Sequence, residues 1–124
     1  MVRISDAEFE VMKVIWKRKE ATSTEIIGDL KDCNWSPNTI RTLIKRLEKK
    51  GAIEVVRKTG KTYTYGSLVD EKQYKNEITR DLLKRLYNNS LAEFVIQYNN
   101  GAKMKEEDMS EIIENIEKIL KNHD

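Results

Sequence analysis

The hydrophobic pattern changes period twice along the chain. Up to residue 51, apolar positions recur at helical spacing in three blocks. Phe9, Met12, Ile15 and Trp16 form the first stripe, with Val11 and Val14 widening it. Ser5 and Glu8 fit a capping box just ahead of that stripe, and Ile4 and Phe9 occupy the two positions of a hydrophobic staple. Trp16 is therefore expected in a core rather than as a ligand platform. The second block repeats this logic, with Thr22 and Glu25 as its capping box and Ile26, Ile27 and Leu30 as its buried set. In the third, Ser36 caps and Pro37 takes the first helical position, where its missing N–H costs nothing. Trp35 and Ile40 sit at staple positions, and Gly51 falls where a left-handed residue ends the helix.

After Gly51 the residues become β-branched and aromatic. The stretches AIEVVRK and TYTYGS flank TGK, a short turn in which Gly60 is free to take a positive φ. This predicts a β-hairpin with Lys58 and Lys61 around its tip. Three helices followed by such a hairpin is the order of a winged helix. From Asp70 the helical period returns. Tyr74, Ile78, Leu82, Leu86 and Tyr87 lie on one segment, and Leu91, Phe94, Val95 and Tyr98 on the next. NNGAK (99–103) is expected to break the pattern. Met109, Ile112, Ile113, Ile116, Ile119 and Leu120 then line a last helix.

The expected fold is mainly α. Residues 1–69 form a winged-helix domain of three helices plus a hairpin wing, and residues 70–124 form a three-helix dimerisation domain. A unit of so few residues is marginal alone, since below ~60 residues a lone core buries too little surface. Large exposed apolar patches on such units mark contact surfaces. The expected remedy is a second copy of the chain, met through Leu82, Leu86, Phe94, Val95, Tyr98, Ile112, Ile113, Ile116 and Leu120. The alternative is packing back onto the winged helix.

Charge sharpens this division. The net charge is only +2, but residues 1–68 carry 14 Lys/Arg against 9 Asp/Glu, whereas residues 69–124 carry 9 against 12. Within Ser36–Lys61 there are 8 basic and 2 acidic residues. A polyanion would therefore meet the first region. At ~100° per residue, Ile40, Leu43, Ile44 and Leu47 fall on one side of the third helix. Asn38, Arg41, Thr42, Lys45 and Lys49 fall opposite, with Thr39 and Arg46 flanking them. Glu48, the helix's sole acid, lies off that face. Arg and Asn can bond bidentately to guanine and adenine edges, and a Thr methyl can pack on thymine. Asn38, Arg41 and Thr42, near the helix start, are expected base readers. Lys45, Arg46, Lys49, Lys58 and Lys61 are expected phosphate anchors, the helix N-terminus with its Ser36 cap can supply further donors to a phosphate, and Thr39 is a further expected DNA contact.

Other chemistry is sparse. The one cysteine, Cys33, is expected as a small apolar residue near a helix end, and the one histidine, His123, is penultimate. No metal site, cofactor or catalytic residue is expected. The acidic run 106–108 complements a helix dipole. No apolar run approaches the ~18 residues of a membrane span and no signal-peptide pattern is present, so a cytoplasmic protein is expected. The rival readings are a winged helix that contacts an acidic protein instead of DNA, and a DNA-binding regulator that answers to a small molecule.

The segment WSPNTIRTLIKRLEKKG closely resembles the recognition-helix region of the penicillinase and methicillin-resistance repressors, the BlaI/MecI family. ISDAEFEVMKVIW resembles that family's first helix, and YTYGSLV its third strand and exit. The resemblance implies a homodimeric transcriptional repressor bound to a palindromic double-stranded DNA operator with TACA/TGTA half-sites. It further implies a partner, a sensor-linked protease responding to β-lactams, that cuts the dimerisation region at an Asn–Phe bond. In this chain the matching bond is Gln97–Tyr98. The cysteine motif of the copper-responsive branch has no counterpart here.

Overall fold

The computed structural model describes residues 2–123. Its elements are α1 (Asp6–Arg18), β1 (Glu20–Thr22), α2 (Ser23–Asp29), a 3-10 turn (Lys31–Cys33), α3 (Pro37–Lys49), β2 (Ile53–Thr59) and β3 (Thr62–Ser67). They are followed by α4 (Glu71–Tyr87), α5 (Leu91–Ala102) and α6 (Glu106–Lys121). The chain divides within α4 into two compact units, residues 1–75 and 76–124.

In the first unit the caps act as their sequence suggests. Ser5 and Thr22 each accept from the backbone N–H three residues on, and Glu8 and Glu25 accept from the backbone N–H of Ser5 and Thr22. At the far end of α3, the Gly51 N–H donates to Glu48 O and the Ala52 N–H to Leu47 O, both at 3.0 Å. With Gly51 at φ 80°, this is a Schellman stop. The apolar faces of α1, α2 and α3 meet around Met12, Ile15, Ile26, Ile40, Ile44 and Leu47, all almost fully buried.

The wing is broader than a hairpin. Three strands pair in the order β1-β3-β2, with Ala21 opposite Tyr65 and Glu20 opposite Gly66 on the unanticipated side. β1 is three residues long and has no alternation to betray it; pairing with β3 makes it a strand. On the other side, β2 carries a bulge at Val56, where the register shifts between Val55 and Arg57. Gly66 faces that bulge, and a Cβ there would lie 2.9 Å from Val56 Cγ1. Trp16 belongs to the core, its Nε1–H shared between Ser67 Oγ (3.1 Å) and the Val69 carbonyl (3.0 Å). Tyr74, beyond the expected boundary at 69/70, is buried against Phe9 and Trp16, with ring centroids 6.2 Å from each.

In the second unit, Asn88 and Asn89 adopt left-handed φ values between α4 and α5, and the Ser90 side chain caps α5. The expected break at residues 99–103 comes late. Asn99, Asn100 and Gly101 continue α5 to Ala102, and the turn falls at Lys103, with φ 44°. Local propensity yields there to a helix already nucleated upstream. The Tyr87 and Phe94 rings meet edge to face at 5.4 Å, and Tyr98 stacks on Phe94 at 6.4 Å. No residue of α5 or α6 is buried.

Candidate nucleic-acid interface

The first unit presents α2, the 3-10 turn and α3 as a helix-turn-helix, with Asn34 left-handed at the turn (φ 59°). Arg18 of α1 holds α2 in place through both carboxylate oxygens of Asp29 (2.7 and 2.8 Å) and through Glu25 (2.9 Å). The Arg18 hydrogen bonds keep the Asp29 carboxyl below its ordinary range, and the capping bonds from Thr22 do the same for Glu25. Arg18 thus ties α1 to α2, the helix that leads into the turn before α3.

On α3, Ile40, Leu43, Ile44 and Leu47 are buried, so the opposite side is bared. Ser36, Asn38, Thr39, Arg41, Thr42, Lys45, Arg46 and Lys49 are all exposed. Ser36 Oγ accepts from the Thr39 N–H (3.1 Å) and lies 2.9 Å from Thr39 Oγ1. Two of the expected readers are linked: Arg41 Nη1 donates to Asn38 Oδ1 at 3.1 Å. Thr42 Oγ1 is turned back onto the Asn38 carbonyl at 3.0 Å. On the wing, Lys58 Nζ sits 5.3 Å from the Tyr63 ring centroid, and Lys61 occupies the turn beside Gly60 (φ 62°).

The eight basic residues of Ser36–Lys61 separate into two groups. Arg41, Lys45, Arg46, Lys49, Lys58 and Lys61 are exposed and, among the described residues, have no carboxylate within ion-pair distance. Lys50 is bound to Glu8 of α1, and Arg57 to Glu20 of β1. Sequence reading missed both pairings, which join residues 42 and 37 positions apart. Six unneutralised cations on one helix and one hairpin can take up phosphates, while the Asn, Arg and Thr near the helix start carry groups that match base edges.

The other expected contact residues lie in the second unit. Leu82, Phe94 and Val95 are half-buried, and Leu86, Tyr98, Ile112, Ile113, Ile116 and Leu120 are exposed. Gln97 and Tyr98 are exposed within α5. Among the described residues, no group of three or more His, Cys, Asp or Glu could hold a metal, and no helix is long and apolar enough to cross a membrane.

Comparison with known proteins agrees with this geometry. The penicillinase repressor family matches residues 4–118. The chain is 38% identical over 122 residues to the penicillinase repressor of Bacillus licheniformis, covering 98% of this chain and 91% of that one. It is also 38% identical over 110 residues to the methicillin resistance regulatory protein MecI of Staphylococcus aureus (strain N315), covering 88% and 89%. Among solved structures, the DNA-binding domain of the repressor BlaI is 46% identical, with a TM-score of 0.53 over 59% of this chain and 89% of that one. The B. licheniformis BlaI monomer in complex with the blaP half-operator is likewise 46% identical, with a TM-score of 0.50 over 58% and 88%. The chain belongs to the penicillinase repressor (BlaI/MecI) family of winged-helix DNA-binding repressors.

Proposed function

We propose that this chain represses transcription as a homodimer, each copy's α3 reading half of a palindromic operator. The observation that carries the DNA-binding part is the acid-free face of α3 with its four unneutralised cations, joined by two more on the wing. The likeness to a relative whose structure holds a half-operator supports it. Asn38, Arg41 and Thr42 are the base readers. Lys45, Arg46, Lys49, Lys58 and Lys61 anchor phosphates, and the α3 N-terminus with Ser36 and Thr39 offers a further phosphate site.

The dimer reading rests on the second unit, whose apolar stripe is left bare. Ile113 is 57% exposed, Ile119 65% and Leu120 67%. Beside it, α5 and α6 border an apolar groove of about 320 Å³ lined by Val95, Ile96, Met104, Met109, Ile112 and Ile113, a receptacle for a partner's side chains. Joining two weakly binding domains raises avidity by ~10²–10⁴ without new DNA contacts. Residues 70–124 then serve as the tether and residues 1–69 as the reader. Loosening the tether is the natural way to clear the operator. Gln97–Tyr98 is the bond a β-lactam-responsive protease would cut, and because it lies inside α5, cutting requires that helix to open locally.

The test is fluorescence anisotropy of a duplex carrying a TACA…TGTA palindrome beside a scrambled duplex, at several salt concentrations. Preference for the palindrome, two chains per duplex and a steep salt slope are expected. Equal, weak binding to both, or binding at one chain per duplex, overturns the reading.

A further inference from the structure

Lys50 lies next to the cations of the DNA-reading face and differs from them in its surroundings. Its Nζ donates to the Arg3 carbonyl at 2.9 Å and to Glu8 Oε1 at 2.5 Å. Glu8 is only 2% exposed, and the same oxygen accepts the Ser5 N–H at 2.9 Å. The carboxylate that closes the α1 cap is therefore also the anchor for the C-cap residue of α3. Lys50 is itself held in register, because the Schellman stop terminates the helix immediately after it. A buried carboxylate stripped of its partner is strongly unfavourable, so the pair holds the end of α3 to the start of α1.

The position of the junction gives it leverage. Arg41 stands nine residues before Lys50, about 13 Å along the helix. A tilt of about 5° about the Lys50 end displaces Arg41 by about 1 Å, enough to spoil a bidentate hydrogen bond to a base edge. A phosphate contact made by a long, flexible lysine tolerates the same shift.

We propose that Lys50 is a positioning residue for base reading and not a phosphate anchor: through Glu8 it fixes the tilt of α3 relative to α1. The proposal rests on the DNA-reading role given to α3 above. It makes Glu8, remote from the reading face, a determinant of sequence preference.

The experiment uses the full chain, the palindromic and scrambled duplexes, and a salt series. Lys50→Met is expected to weaken palindrome binding about tenfold, the size of one spoiled bidentate base contact, with scrambled binding and the salt slope unchanged. Glu8→Gln keeps the capping bond and should match it, and the double variant should be no worse than either single one. Lys50→Arg, which restores the charge, should recover the preference. Lys49→Met provides the contrast, weakening both duplexes and lowering the salt slope by about 1. A Lys50→Met variant that behaves like Lys49→Met, or that keeps full preference, overturns the proposal. The Glu8 carboxyl resonance, followed by NMR in wild type and Lys50→Met, reports the pair independently of DNA. A resonance that does not move on substitution overturns the junction itself. An intact pair in a wild-type chain that ignores the palindrome places the fault in the DNA-reading role, and the proposal falls with it.

Discussion

The two units treat their apolar residues in opposite ways. Among the described residues, every buried hydrophobic side chain lies in residues 1–75, whereas α5 and α6 leave Ile96, Ile112, Ile113, Ile116, Ile119 and Leu120 open. The first unit has closed its own core, and its exposed side is rich in unneutralised cations. The second has helices with well-formed stripes and nothing buried beneath them. A unit whose apolar surface is already buried can hold a polar face in fixed geometry and needs no partner to fold. A unit with its apolar surface bare gains stability from whatever covers it, and where that is a second copy its stability depends on concentration. Under the proposed function, the first unit is a self-sufficient reader and the second a conditional tether.

The sharpest way to break that contrast is a charge in the bare stripe. Ile116→Glu should leave a monomer by sedimentation equilibrium and lower operator affinity by ~10²-fold or more, while the unfolding of the first unit is unchanged. If the variant remains dimeric, the stripe is not the tether. Next in size, Leu47→Ala opens a cavity in the closed core and should cost about 2–5 kcal/mol in denaturant unfolding of the first unit. The same truncation at exposed Ile119 should cost the isolated monomer far less.

Smaller effects separate the two kinds of cation. Arg41→Ala should cost ~1–3 kcal/mol on the palindrome and relax base preference. Lys49→Ala should instead weaken all duplexes alike and flatten the salt slope by about 1. If both variants act equally on specific and random DNA, the division into readers and anchors is wrong. The last effect is on stability and concerns Glu8. Burial pushes its carboxyl up, but hydrogen bonds from Lys50 and Ser5 outweigh this and hold it below the ordinary range. A depressed folded pKa stabilises the first unit above the unfolded value of ~4.3 and loses that contribution as pH falls through the folded value. Glu8→Gln should therefore lower stability at pH 7 and flatten the acid limb of a thermal-unfolding series below about pH 5.

Much of the first unit was legible because its signals are local. Ser5 with Glu8, Thr22 with Glu25, Pro37 and Gly51 each specify an end within four residues, and the stripe on α3 names its own exposed side. What sequence missed is non-local. β1 exists because β3 pairs with it more than forty positions away. The charge count of Ser36–Lys61 could not tell that Lys50 and Arg57 were already paired, since Glu8 and Glu20 lie far upstream. In the second unit, the Asn-Asn-Gly stop was overvalued because α5 is long enough to carry weak helix formers to Ala102.

The third strand has a mechanical consequence. β1 reaches β3 only at Thr64, Tyr65 and Gly66, while the pairs Lys58–Tyr63 and Thr59–Thr62 are braced from one side alone. The wing is thus a cantilever, three strands thick at its root and two at its free end. A load at the tip falls on two strands alone, whereas a load at the root is shared by three.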